Sequence, residues 1–138
     1  MTPDALATLH ARAFARLRPW SAPEFASLLT SPHVFLVTLP HAFALGRAVA
    51  DEAELLTIAT DPAHQRSGMG TACLKAFETA AVDRGAAQCF LEVDSENTAA
   101  LALYRRFGFT STGRRADYYS LPNGMRADAI LMAKPLTR

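Results

Sequence analysis

The stretch from Leu55 to Gly85 constrains this chain more than any other. An apolar run, Leu55-Leu56-Thr57-Ile58-Ala59-Thr60, leads into Asp61-Pro62, then Gln65-Arg66-Ser67-Gly68-Met69-Gly70-Thr71, then a segment with helical spacing. The apolar run reads as a strand, and Asp-Pro ends it because proline fixes its own φ and restricts the residue before it. From Thr71 to about Arg84, Leu74, Phe77 and Ala81 fall on one helical face and Lys75, Glu78, Thr79 and Asp83 on the other, with Gly85 as the stop. A helix entered through glycines presents unpaired N–H groups and the positive end of its dipole. Residues 65–71 therefore form a natural cradle for a phosphate or pyrophosphate. Gly68 and Gly70 let an anion approach the main chain, and Arg66 adds charge.

Two other phosphate-binding patterns fit less well. A P-loop requires Lys-Ser or Lys-Thr after its glycines, and none follows Gly70. A dinucleotide fingerprint would find its acidic residue in Glu92. However, Cys73 holds the third-glycine position, and residues 61–67 separate the strand from Gly68, where a dinucleotide turn follows its strand almost at once.

The remaining chain supplies an α/β frame. Thr2-Pro3 starts a helix with Leu6, Leu9, Ala13 and Leu17 near helical spacing, reaching Arg16 or Leu17. Ser21 and Glu24 form a capping box for a second helix, and Trp20 can staple onto Phe25 or, alternatively, line an acceptor pocket. Val34–Leu39, Ala42 to about Val49 (weakened by Gly46) and Ala53–Thr60 read as an antiparallel meander. After the glycine-entered helix, Gln88–Val93 is a strand that alternates Cys89, Leu91 and Val93 with Gln88, Phe90 and Glu92. Asn97 or Ser95 caps a helix through Phe107, which Gly108 ends. Phe109–Arg115 and Ala127–Leu136 form a hairpin around Leu121-Pro122-Asn123-Gly124.

At 138 residues the chain fits one domain, residues 1–138, and buries enough surface to fold without a metal or disulfide. A net charge of +1 gives no field for nucleic acid or a membrane surface, so neither is expected as a partner. Cys73 and Cys89 make no CxxC and read as buried fillers in a reducing compartment. No signal peptide or transmembrane run is evident, so a cytoplasmic location is expected. His10, His33, His41 and His64 have no ligand spacing along the chain, and no metal is expected.

The order strand, Asp-Pro, Gln-Arg-x-Gly-x-Gly, amphipathic helix resembles the acyl-CoA motif of the GNAT N-acetyltransferases. From Pro19 to Met132 the chain is similar to the bacterial ribosomal-protein-alanine branch (RimI type). The segments that carry this likeness are Pro19-Trp20-Ser21, Asp51-Glu52-Ala53, Leu91-Glu92-Val93, Asn97, Ala102-Leu103-Tyr104, Gly108-Phe109, Arg114-Arg115, Tyr118-Tyr119 and Asp128-Ala129-Ile130-Leu131-Met132. The resemblance implies a GNAT fold, with a mixed, mostly antiparallel central sheet flanked by helices and without the usual opening strand. It implies acetyl-CoA as cosubstrate. The acetyl-pantetheine arm would lie along the main chain of Ile58, Ala59 and Thr60, the pyrophosphate on Arg66, Ser67, Gly68, Met69, Gly70 and Thr71, and Asn97 would bind the cofactor. It also implies Glu92 as proton acceptor, Tyr104 as proton donor to the leaving thiolate, and a protein N-terminus as acceptor. Where the branch commonly carries an acidic residue before Asp128, this chain has Ala127.

Acetyl transfer to an amine needs a neutral nucleophile, a polarised carbonyl and a proton for the thiolate. An ordinary glutamate, near ~4.3, is a feeble base for an ammonium, so a base at position 92 works through its surroundings or a water. The plain alternative for Glu92 is pairing with Arg105 or Arg106, and for Tyr104 a core position; Glu54 is the reserve base. Tyr118 and Tyr119 shape an acceptor groove or, more plainly, pack across the hairpin. Two other readings stay open: a small-amine acetyltransferase, and a non-catalytic acyl-CoA sensor.

Overall fold

The computed structural model describes residues 1–14 and 16–137; the side chains of Arg66 and Ser67, two expected cofactor ligands, lie outside the described part. Helix α1 (Pro3–Ala13) starts on Thr2, whose hydroxyl accepts from the Ala5 N–H at 3.2 Å. It ends before the expected Arg16 or Leu17: Phe14, at φ −106° and ψ 81°, leaves helical geometry, its N–H still on the His10 carbonyl and its ring stacked on His10 with centroids 4.0 Å apart. Helix α2 (Ala22–Leu29) carries the capping box: the Ser21 hydroxyl accepts from the Glu24 N–H at 3.3 Å, and the Glu24 carboxylate from the Ser21 N–H at 3.0 Å. Trp20 and Phe25 pack at 5.6 Å as the staple.

Strands β1 (Val34–Leu39), β2 (Ala42–Val49) and β3 (Glu52–Thr60) form the antiparallel meander. A 3₁₀ turn (Pro62–Ser67) leads into α3 (Met69–Asp83), and then come β4 (Gln88–Asp94), α4 (Thr98–Arg106), β5 (Thr110–Ser120) and β6 (Arg126–Pro135). The described strands form one sheet in the order β1-β2-β3-β4-β6-β5, in which only β3 and β4 run parallel. Strand β2 is buried on both sides from Ala42 to Gly46. On one face α3 packs Leu74 and Phe77 against Phe35, Leu55 and Leu91; on the other, α1 and α2 pack Leu6, Leu9 and Phe25 against Phe43 and Leu45. Strand β2 runs on through Gly46, although its register with β3 shifts between Leu45 and Gly46. A Cβ there would stand 2.4 Å from Phe77 Cε1 and 2.8 Å from Phe35 Cζ, so the missing side chain makes room for those two stacked rings. Cys73 and Cys89 are buried and free, with their thiols pushed up by burial to about 11 and about 12, as fillers should be. Among the described residues no helix is long and apolar enough to cross a membrane.

The parallel ladder between β3 and β4 is short. It runs from Glu52↔Gln88 to Leu55↔Leu91 and stops, although β3 continues to Thr60 and β4 to Asp94. The cause lies on the other side of β3. Its register with β2 jumps from Gly46↔Leu55 to Leu45↔Thr57, leaving Leu56 as a bulge that increases twist and swings the strand end away from β4. The sheet is thus split from that point into two diverging lips.

Candidate active site

The start of α3 lies at the mouth of this split. Gly68, at φ 79°, holds a left-handed conformation that closes the 3₁₀ turn and opens the helix, and it has no side chain to cap the first-turn N–H groups. The helix therefore begins two residues before the expected Thr71, which puts the main chain of Met69 and Gly70 in that uncapped turn. A Cβ on Gly68 would meet nothing within 4 Å, so the space beside it is open to a ligand. These features fit an anionic cosubstrate, with N–H donors and dipole facing an uncrowded backbone. Met69 presents only its main chain there, since its side chain packs against the core.

Between the lips lies a groove of about 1340 Å³. That exceeds the ~300–1,000 Å³ of a site for one small ligand, so it has room for a cosubstrate and an acceptor together. Ile58, Ala59 and Thr60 line it from β3, Gly68, Gly70 and Thr71 from the cradle, Glu92 from β4, and Asn97 and Tyr104 from α4. Asn97 caps α4 by accepting from the Ala100 N–H at 3.1 Å, and Tyr104 follows two turns later on the same face. Tyr104 is only 5% exposed, and burial holds its phenol well above the usual tyrosine range. The Glu92 carboxylate accepts from Arg115 of β5 at 3.2 Å and also faces Tyr118, whose phenol it raises. Its arginine partner is therefore Arg115, not Arg105 or Arg106. Glu54 is paired to Arg47 at 2.8 Å and lines a smaller, separate hollow, so the reserve base is not in the groove.

Residues 9–109 match the Acetyltransferase (GNAT) family. The chain is 40% identical to the [ribosomal protein bS18]-alanine N-acetyltransferase of Escherichia coli, over 99% of this chain and 94% of that protein. It is 37% identical to the N-alpha-acetyltransferase RimI of Mycobacterium tuberculosis, over 93% and 83%. The crystal structure of the Escherichia coli ribosomal-protein-S18-alanine N-acetyltransferase superposes with a TM-score of 0.86 at 38% identity, covering 99% of this chain and 88% of that one. The chain belongs to the GNAT acetyltransferase family. It is an acetyl-CoA-dependent N-acetyltransferase, and its mixed six-stranded sheet is the GNAT fold.

Several groups that shape the groove of this acetyltransferase escaped the sequence reading. Asp94, two residues beyond Glu92 and 4% exposed, accepts from the Arg16 guanidinium at 2.7 Å and from the Glu96 N–H at 3.1 Å. Arg16 also pairs with Glu96, so the connection between α1 and α2 is tied to the end of β4. That connection carries Leu17 and Pro19 into the groove wall, with Trp20, which thus serves as both staple and lining. His10, fully buried, accepts from the Trp20 N–H on Nδ1 at 3.0 Å; Nε2 then carries the proton and donates to Thr57 Oγ1 at 3.0 Å. On the far side, Asp128 accepts from Arg114 at 2.8 Å and from the Asp117 N–H at 2.9 Å, fixing a register shift between Arg115 and Tyr119. The shift takes Tyr118 out of the ladder, so the two tyrosines line the groove, 5.0 Å apart, with Tyr119 opposite Ala127. Helical and strand periodicity cannot reveal the pairings of Arg16 with Asp94, His10 with Thr57 or Arg114 with Asp128, because each joins residues distant in sequence.

Proposed function

We propose that this acetyltransferase moves the acetyl group of acetyl-CoA directly to the N-terminal α-amine of a protein, an alanine of a ribosomal protein in the first instance. The chain would act as one cytoplasmic domain, without a metal in the reaction and without nucleic-acid or membrane partners. One observation carries the mechanism: the split between β3 and β4 opens Glu92, Tyr104 and the uncapped start of α3 onto one groove. The acceptor assignment is supported by relatives of that specificity that match nearly the whole chain.

Acetyl-CoA supplies an activated thioester. Ile58, Ala59 and Thr60 are paired to β2 on one side, and on the other, past the end of the ladder with β4, their main chain would hold its arm, while residues 66–71 with Asn97 hold the rest. Glu92, oriented by Arg115, takes the amine proton directly or through a water. The demand is small for an α-amine: with a pKa near ~7.8 it costs about 1 kcal/mol to deprotonate at pH 7, against about 4.6 kcal/mol for a lysine at ~10.4. Tyr104 donates to the departing sulfur. In open water that proton transfer would run uphill, since a free thiol near ~8.5 is more acidic than a phenol near ~10. Burial raises the Tyr104 phenol as well, so the proton moves because the C–S bond breaks in the same step and leaves the sulfur as the site of developing negative charge beside that hydroxyl.

The test compares three acceptors at saturating acetyl-CoA: a peptide beginning with alanine, the same peptide N-blocked but carrying a lysine, and spermidine. The free-terminus peptide should react fastest, with kcat/KM levelling near pH ~8. Equal turnover of the blocked peptide or spermidine would favour a small-amine enzyme. Tight acetyl-CoA binding with no turnover of any acceptor would favour a sensor.

A further inference from the structure

His41, Asp61 and His64 show no ligand pattern in sequence, yet the β1–β2 turn, the end of β3 and the 3₁₀ turn bring them together. One nitrogen of each imidazole and one carboxylate oxygen all lie within 4.8 Å of one another. The backbone sets this juxtaposition: the Asp61 N–H donates to the His41 carbonyl and the His64 N–H to the Asp61 carbonyl, both at 2.8 Å. His41 is held at φ 68°, a left-handed conformation uncommon for a residue with a side chain. The imidazoles stack face to face, centroids 3.7 Å apart and 3° from parallel. We propose that these three residues form a binding site for a divalent transition-metal cation of the zinc or cobalt kind, outside the reacting groove, whose lining includes none of them.

Two imidazoles, one carboxylate and an open fourth position suit a borderline-soft ion. With bonds of ~2.0 Å, tetrahedral ligand atoms stand ~3.3 Å apart, so the three need to close by no more than about 1.5 Å. Parallel rings cannot both aim an in-plane lone pair at one ion, so one must turn. His41 is exposed and has room to do so. The Arg12 guanidinium, 2.9 Å from Asp61 Oδ1, opposes a second cation across that carboxylate. It argues against magnesium or calcium, which depend on oxygen charge, and leaves nitrogen affinity to carry the binding. It also yields an unusual expectation: deleting this positive charge should tighten the site.

The experiment titrates zinc into the full chain by calorimetry and cobalt(II) by visible absorption near neutral pH, with the metal alone as probe. One ion per chain should bind saturably. His41→Ala and His64→Ala should each weaken it by ~10-fold or more, Arg12→Ala should strengthen it, and magnesium should give no saturable heat. Unchanged acetyl-CoA binding by each variant confirms that it is folded. Absence of saturable zinc binding, equal affinity in either histidine variant, cobalt spectra of thiolate type from Cys73 or Cys89, or unchanged affinity in Arg12→Ala would overturn the site.

Discussion

Acidification should loosen the acceptor wall through one buried residue, His10. Its ring lies in an aromatic box, stacked on Phe14 and Trp20 and edge-on to Phe25, with Nδ1 filled by the Trp20 N–H and Nε2 on Thr57. Burial, first, and then Arg18 lower its pKa from 6.5 to about 4, while Glu24 pulls the other way. Because the folded value lies below the unfolded one, the unfolded chain takes up the proton first as pH falls. The stability His10 contributes is therefore complete above about pH 6.5, is lost progressively towards about pH 4, and changes little below. A gap of about 2.5 pH units at 1.36 kcal/mol each gives about 3.4 kcal/mol. Carboxylates also titrate in this range, so the measurement is a difference: urea unfolding of the wild type and of His10→Asn across the window. The wild-type advantage should grow by about 3 kcal/mol from pH 4 to neutrality. Parallel stability curves for the two proteins would refute the reasoning. Protonated Nδ1 can no longer accept from Trp20, so the acceptor KM should rise below about pH 5 while acetyl-CoA affinity holds.

Three further outcomes are expected. Gly46→Ala forces a methyl against two stacked core rings and should cost about 1–3 kcal/mol in thermal unfolding, with activity kept at low temperature. At Gly70 a Cβ meets Thr60 Oγ1 at 3.7 Å and Leu103 Cδ2 at 3.8 Å, ordinary contacts. Gly70→Val should therefore fold, with an unchanged circular dichroism spectrum, but lose acetyl-CoA affinity by ~10-fold or more in calorimetry, about 1.4 kcal/mol. Glu92→Gln and Tyr104→Phe should lower kcat by roughly 10²-fold with acetyl-CoA affinity nearly intact; lost affinity at unchanged kcat would make them binding residues.

How much of this was legible beforehand follows from the range of the interactions. Strand-turn-helix order and the capping box at Ser21–Glu24 depend on neighbours within a few residues, and the sequence shows both. It does not show the ends of α1 and β5. Phe14 leaves helical geometry where its apolar spacing would continue the helix, and β5 runs on to Ser120 because Asp128, from the partner strand, holds a shift that periodicity would count as a break. Glu92 stands out in the sequence, but its arginine does not: Arg115 reaches it from across the sheet, whereas Arg105 and Arg106, nearer in sequence, lie on α4. The meeting of His41 with His64 depends on the sheet closing a distance that spacing rules never examine.

The early end of the β3–β4 ladder has a further consequence. Past Leu55 and Leu91 each lip is an edge strand lying inside the molecule, with unpaired main-chain groups facing a gap instead of solvent. A chain-like ligand with alternating amide donors and acceptors can fill that gap as a surrogate strand and join the two half-sheets. By mass action, a ligand at about 100 times its dissociation constant adds about 2.7 kcal/mol to the folded state. The protein's resistance to unfolding, and so to proteolysis, should then follow the supply of that ligand, which makes its lifetime a readout of the acyl donor as well as of its own sequence.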